Sequence, residues 1–226
     1  MILALETSGN ICSVSIVKSG APIFYSEFIV QKSHAEVLNI LIDQAFFACG
    51  ITASNISAVA VSIGPGSYTG LRIGLSSAKG LCLAWDVPLI TVDTLQAMAL
   101  QVIELGLNSR LYIPMLDARR MEVFTTTYNQ KLEMVGTPKS FIFDETISEE
   151  WYMENEGALF FGDGATKGKN FIGQIKQSTL IENIFPKANQ VGILAYKKFI
   201  TGEFADLAYQ EPFYLKPFYT TAQKIN

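Results

Sequence analysis

The sequence predicts an α/β protein of two mixed-sheet halves. Three observations predict it. Residues 1–105 read as three strands in succession followed by alternating helix and strand, β-β-β-α-β-α-β-α, which is the order of a sheet with helical cover. A second set of strands begins after about residue 106 and ends in another helix, so the two halves read as weakly related mixed-sheet units. The 226 residues are 49% hydrophobic and only 17% charged. An average soluble protein carries about 25% charged residues, so this chain has a sizeable core to bury and is not intrinsically disordered. Its length allows one domain or two small ones.

The elements follow in order. Residues 2–5 are apolar and run into the polar turn Glu6-Thr7-Ser8-Gly9-Asn10; Cys12, Val14 and Ile16 then alternate as a second strand. After the turn Lys18-Ser19-Gly20-Ala21 a third strand occupies 22–30. Ser33 and Glu36 have the spacing of a capping box, in which hydroxyl and carboxylate satisfy free amides at a helix start, and a helix over 33–49 is stopped by Gly50. A short apolar strand at 56–63 enters the glycine-rich stretch 64–70, with a second helix over 70–85 behind it. A buried strand at 88–92 and a third helix at 94–105 complete the first half. The second half has strands near 110–117, 121–128 and 139–143, an acidic helix around 145–155, a strand at 158–162 and a closing helix at 187–203. The tail 209–218 is rich in Pro and aromatic residues. The domains are accordingly 1–105, rejoined by the tail 206–226, and a smaller 106–205.

Charge and cysteine usage exclude several classes. Seventeen Lys and Arg against 21 Asp and Glu leave a net charge of −4, and the only adjacent basic pairs are Arg119-Arg120 and Lys197-Lys198, so an unaided grip on a polyanion is not expected. Cys12, Cys49 and Cys82 are an odd number among apolar neighbours and read as reduced thiols of a cytoplasmic protein. The start lacks a basic n-region, and no run of 18 apolar residues occurs. Neither export nor a membrane span is indicated.

The stretch from Gly64 to Gly74 sits at a strand-to-helix junction, where backbone amides can hold an anion. As a dinucleotide fingerprint it fails, because Thr69 stands where the third glycine belongs; as a P-loop it fails because Leu71, not Lys, follows Gly70. The alternative is that Gly66, Gly70 and Gly74, four apart, let two backbones approach closely. The helix at 33–49 is apolar nearly all round, with Glu36, Asn39 and Asp43 as one polar stripe, and the helix at 70–85 carries charge only at Arg72 and Lys79 before its end. Covering one sheet face needs one apolar stripe, so the surplus implies either a subunit interface or further burial within one domain. One histidine, His34, excludes a two-histidine metal site, and no Gly-x-Ser-x-Gly elbow gives it a serine to activate. Glu6 and Asp117 end strands, and Asp163 lies in a glycine turn. With Thr7 and Gly64, Glu6 and Asp163 are the candidates for holding a magnesium nucleotide.

In order along the chain, Ala4-Leu-Glu-Thr-Ser8, Ser33-His-Ala-Glu36, Gly64-Pro-Gly-Ser-Tyr-Thr-Gly-Leu-Arg-Ile-Gly74, Met115-Leu-Asp-Ala-Arg-Arg120, Glu122-Val-Phe124, Phe161-Gly-Asp-Gly-Ala165 and Pro212-Phe-Tyr-Leu-Lys216 resemble the bacterial TsaB (YeaZ) family. The resemblance is dense over 1–125 and thin over 130–205, and Lys216 stands where Arg is usual. It implies an actin-like, sugar-kinase-like fold (ASKHA, with a ribonuclease H-like first half) and a role in making threonylcarbamoyladenosine in tRNA. The related transferase TsaD carries a His-x-x-x-His metal motif whose two slots fall on Thr94 and Met98. Hydroxyl and thioether replace imidazole poorly as ligands, so the resemblance implies a non-catalytic subunit with no metal or ATP of its own. It further implies binding to TsaD, a homodimer when TsaD is absent, the ATPase TsaE as another partner, and tRNA reached only through the complex. The two apolar helices look like the pairing surface, with Leu38, Leu41, Ile42, Leu71, Gly74, Leu75 and Ala78 as candidate contacts. On that reading Gly74→Arg abolishes pairing and spares the fold. The alternative is an enzyme in its own right, a nucleotide-binding phosphotransferase or a peptidase.

Overall fold

The computed structural model describes residues 1–29 and 34–216. Ser33, and with it the capping box, lies outside the described residues. Strands β1 (Ile2–Glu6), β2 (Ile11–Lys18) and β3 (Ala21–Ile29) form an antiparallel meander, and β4 (Ala58–Ser62) and β5 (Leu89–Val92) add in parallel on the far side of β1, giving the order β3-β2-β1-β4-β5. The second sheet repeats this plan. Strands β6 (Tyr112–Asp117), β7 (Glu122–Thr125) and β8 (Lys139–Ile142) form the meander, and β9 (Leu159–Phe161) and β10 (Thr179–Ile181) extend it in parallel. Two mixed sheets are what the element order predicts; that they share one topology is shown by the structure.

The first sheet is covered on both faces, which is why its strands read as continuous apolar runs. Leu3, Leu5, Val14, Ile16, Val59 and Val61 point to α1 (His34–Cys49) and α2 (Tyr68–Trp85). Ile2, Ala4, Val17, Ala58, Ala60 and Ile90 point the other way, to α3 (Thr94–Glu104) and to a helix at Ala188–Thr201. Helix α3 is shared between the halves: Ala97 and Leu100 pack on the first sheet, while Leu95, Met98, Ala99 and Val102 pack against Tyr112, Leu116, Tyr128 and Phe161 of the second. Asp93 caps α3 by accepting from the Gln96 amide at 2.7 Å, and the Tyr128 hydroxyl donates to the same carboxylate at 3.2 Å. The outer face of the second sheet is covered by α4 (Glu149–Glu154), α5 (Lys169–Ile172) and an aromatic cluster of Phe141, Phe143, Trp151 and Phe160.

The helix at Ala188–Thr201, α6, departs from the expectation that it closes the second half. It lies across the first sheet, with Ala188, Val191, Leu194 and Ala195 buried on it and Gly192 so close that a Cβ there would meet Val17 Cγ2 at 2.4 Å. Amphipathicity announces that a helix has a buried face; it does not say which sheet that face meets. Three boundaries also move. Helix α2 starts at Tyr68 because Ser67 caps it, accepting from the Gly70 amide at 3.3 Å. Helix α4 starts at Glu149 behind Ser148, because the Asp144 carboxylate holds Thr146 in a turn instead. Strand β7 ends at Thr125, where the Thr125 and Thr126 hydroxyls turn to the carbonyls of Pro114 and Gly136. Strand β10 and helix α5 were not predicted, since three or four residues carry no readable period.

Candidate functional site

A cleft of about 540 Å³ lies between the halves, a volume suited to a small ligand. Its walls are the turn after β1 (Ser8 to Asn10), the entry to α2 (Pro65 to Thr69), the β6–β7 hairpin, Asp163 after β9 and the tail from Phe213 to Lys216. The glycine-rich stretch forms one wall, and its glycines serve close approach. A Cβ would come within 2.6 Å of the Ser8 carbonyl oxygen at Gly66, 2.1 Å of the Thr7 carbonyl oxygen at Gly70 and 2.2 Å of Thr7 Oγ1 at Gly74. Thr7 Oγ1 donates to the Gly70 carbonyl at 2.8 Å and the Ser67 amide donates to the Ser8 carbonyl at 2.7 Å. The four-residue glycine period therefore seats α2 on the end of β1.

The four candidate nucleotide residues do not converge. Glu6 and Thr7 are fully buried, Gly64 is covered by the Phe213 backbone, and only Asp163 lines the cleft. Burial pushes the Glu6 carboxyl up from its ordinary value; its Oε1 accepts from the Ser8 amide at 2.5 Å, while Oε2 and the Ser8 and Ser62 hydroxyls are buried without a well-formed hydrogen bond. A strand-end carboxylate looks available in sequence, but the β1–β2 turn folds over this one. On the opposite wall Asp163 accepts from the Asp117 amide at 2.9 Å, and burial raises its pKa. Asp117 in turn accepts from the Arg119 amide at 2.6 Å and pairs with Lys167 at 2.5 Å.

The tail ties the two walls together. The Phe213 amide donates to the Ile63 carbonyl at 2.7 Å, and Lys216 pairs with Glu122 of the hairpin. Between them the Tyr214 ring lies 4.8 Å from Tyr68, and its hydroxyl accepts from Arg72 Nε at 3.1 Å while the Arg72 guanidinium sits 4.1 Å over the Tyr68 ring. This Tyr–Arg–Tyr cluster was not foreseen; the aromatic tail was its only sequence signal.

His34 is half-buried, and its Nε2 donates to the Gly9 carbonyl at 2.9 Å. Desolvation lowers its pKa, which favours the neutral ring of a structural histidine. Thr94 Oγ1 accepts from the Gly64 amide at 3.2 Å, and Met98 is fully buried in the core under α3, its methyl 2.8 Å from where a Cβ on Gly162 would stand. Among the described residues no cluster of three or more His, Cys, Asp or Glu is placed to hold a metal. Cys12 and Cys82 are buried free thiols, the first pushed up to about 12 and the second to about 11, chiefly by desolvation.

The second candidate surface is the outer face of α1 and α2. Here the structure corrects the residues. Leu38, Leu41 and Ile42 on α1 and Leu71, Gly74, Leu75 and Ala78 on α2 are all buried toward the sheet, so none is free to meet a partner. Gly74→Arg would drive its side chain into Thr7, an insult to the fold. The outward residues are Ile40 at 56% exposure, Phe47 at 91% and Leu83 at 78%, set beside the small residues Ser76, Gly80 and Ala84. The polar stripe of Glu36, Asn39 and Asp43 marks this outward face, and Ile40 and Phe47 continue it at helical spacing. The positions chosen as contacts are those that face the interior, and the exposed apolar residues lie beside the polar stripe.

Among the described residues no helix is long and apolar enough to cross a membrane. The family model described as "TsaD: tRNA N6-adenosine threonylcarbamoyltransferase" matches residues 28–161, more than half of the chain. The chain is 28% identical to a tRNA threonylcarbamoyladenosine biosynthesis protein TsaB of Haemophilus influenzae, over 95% of this chain and 93% of that one. It is 27% identical to the TsaB of Escherichia coli over 95% and 94%. A tRNA N6-adenosine threonylcarbamoyltransferase of Afipia carboxidovorans is 38% identical but aligns over 54% of this chain and 32% of its own. A Pseudomonas aeruginosa structure, described as an uncharacterized protein with similarity to peptidase YEAZ, superposes with a TM-score of 0.81 at 26% identity, covering 95% of this chain and 99% of that one. Component A of the (R)-2-hydroxyglutaryl-CoA dehydratase of Acidaminococcus fermentans, at a TM-score of 0.52 and 9% identity, shares the actin-like fold alone. The chain thus belongs to the threonylcarbamoyltransferase (TsaD) family, and within it to the TsaB (YeaZ) group that it matches from end to end.

Proposed function

We propose that this chain is a non-catalytic subunit in tRNA threonylcarbamoyladenosine biosynthesis, binding and supporting the transferase TsaD. The observation that carries this reading is the outward face of α1 and α2, where Phe47 and Leu83 are left bare beside Ser76 and Gly80. Burying a side chain of that kind contributes roughly 1.5–3 kcal/mol, and small neighbours let a partner helix approach closely. A partner of related fold offers a like pair of helices, and so does a second copy of this chain when TsaD is absent. TsaE is a further partner on the same reading. Supporting the non-catalytic role, Thr94 and Met98 are engaged in hydrogen bonding and core packing where the family's metal motif falls. The metal and ATP belong to the partner subunits.

The test is co-purification with TsaD of the same organism, followed by synthesis of threonylcarbamoyladenosine in vitro with and without this chain. Association and a dependence of activity on the chain are expected. Modification that proceeds equally well without it defeats the reading. In the same assay Phe47→Asp with Leu83→Asp should abolish co-elution while leaving thermal unfolding of the isolated chain nearly unchanged, because both side chains are already in water.

A further inference from the structure

The tip of the β6–β7 hairpin breaks a local rule. Arg119 and Arg120 have φ of 72° and 48°, two consecutive residues in the left-handed region, where Asn and Gly are at ease and a long side chain is not. The tip is nonetheless well held: the Ala118 amide donates to the Glu122 carbonyl at 3.0 Å, the Glu122 amide to the Arg119 carbonyl at 3.1 Å, and the Arg119 amide to Asp117. A backbone kept in an unfavourable conformation for two arginines asks what the arginines do.

Both side chains are exposed, and neither guanidinium has an acidic or hydrogen-bonding partner among the described residues. The acids nearby have other partners: Asp163, on the cleft wall, accepts from the Asp117 amide. Asp117 is paired with Lys167, and Glu122 with Lys216 of the tail. The tip therefore projects two uncompensated positive charges from a chain whose net charge is −4. Arg119 lines the cleft while Arg120 does not, so the pair straddles the rim. A single small anion inside the cleft would engage one of them; successive phosphates of a polymer passing the rim engage both. Guanidinium forks match phosphate oxygens in bidentate fashion.

We propose that the Arg119–Arg120 tip binds the phosphodiester backbone of RNA, a contact that this chain itself contributes to the tRNA substrate. The proposal rests on the reading that the chain works in a tRNA-modifying complex, and it departs from the expectation that tRNA is reached only through partners. The contact is one of position rather than sequence, since it reaches the backbone and no base.

The experiment measures tRNA affinity of the complex assembled with TsaD across a range of salt concentrations. Arg119→Gln with Arg120→Gln should weaken binding about tenfold at moderate salt and flatten the log–log salt dependence by up to about two units. Arg119→Asn with Arg120→Gly should lose the same affinity while unfolding at an equal or higher temperature, because these residues suit the backbone of the tip. Unchanged affinity and salt slope in variants that still assemble would overturn the proposal. Variants that fail to assemble, but in which free chain and tRNA behave as wild type, would mean that the tip docks on an acidic protein surface and would overturn it equally. If the wild-type chain itself does not assemble with TsaD, the functional reading falls and takes this proposal with it.

Discussion

The two sheets share one strand order, yet the first is sandwiched between four helices and the second is not. Its partner has α3 on one face, and on the other two short helices with an aromatic cluster. The strands differ to match: β1 and β2 are buried along almost their whole length, while β8 is exposed at both ends and only half-buried in its middle. One topology is thus put to two uses. The first half is a double-faced core whose outer helices leave Ile40, Phe47 and Leu83 exposed. The second is a lighter unit, held to the first by α3, the Asp93–Tyr128 bond and the tail, that presents a charged hairpin tip.

The sharpest way to break this comparison is to attack the seating of α2. Gly74→Arg should destabilise the chain by about 4 kcal/mol or more, because the side chain meets Thr7 and Val61 rather than a partner. Urea unfolding of the isolated chain measures it, and a folded Gly74→Arg protein that merely fails to pair would restore the original view of that face. The contrast with Phe47→Asp, on the opposite side of the same helix pair, tells inner from outer.

A smaller effect is expected at Glu6. Its folded pKa is raised by burial above the ordinary value of 4.5, so the folded state binds the proton more tightly than the unfolded state. Stability from this group is fully present below about 4.5 and is lost as the pH rises through the folded pKa. Glu6→Gln, which fills the same space without a charge, should therefore unfold at a higher temperature than wild type at pH 7, with the advantage shrinking toward pH 4. Thermal unfolding against pH decides it, and a Glu6→Gln variant less stable than wild type at pH 7 would place the Glu6 carboxylate in a stabilising role. The smallest effect belongs to the tail: Lys216→Gln removes an ion pair between a partly exposed lysine and the mostly buried Glu122 and should lower stability by about 1 kcal/mol. A loss of several kcal/mol in calorimetry would make the tail a principal clamp between the halves.

The order of the longer elements was legible because each hairpin and each strand–helix alternation is written in contiguous residues. The apolar surplus of α1 and α2 was legible as a quantity but not as a direction. Leu38 and Phe47 differ little as hydrophobic residues, and they end on opposite sides of one helix. Glu6 and Asp163 looked alike as candidate carboxylates for a magnesium nucleotide; one is roofed by the turn that follows it, the other lines the cleft. The Arg119-Arg120 pair was visible from the start as one of two adjacent basic pairs, but that it has no ion pair among the described residues depends on lysines about 50 and 100 residues away along the chain, which pair with Asp117 and Glu122.

By itself the sequence determined the class of fold, the order of the longer elements, the excess of apolar helix surface and the presence of a single histidine. Those properties reside in local periodicity, turn chemistry and residue type. Only the tertiary structure decided where α6 docks, which way the helices turn their apolar faces, and which charges are left without partners. Each of these is set by surfaces that meet from distant parts of the chain, and no window of contiguous residues contains both sides of such a contact.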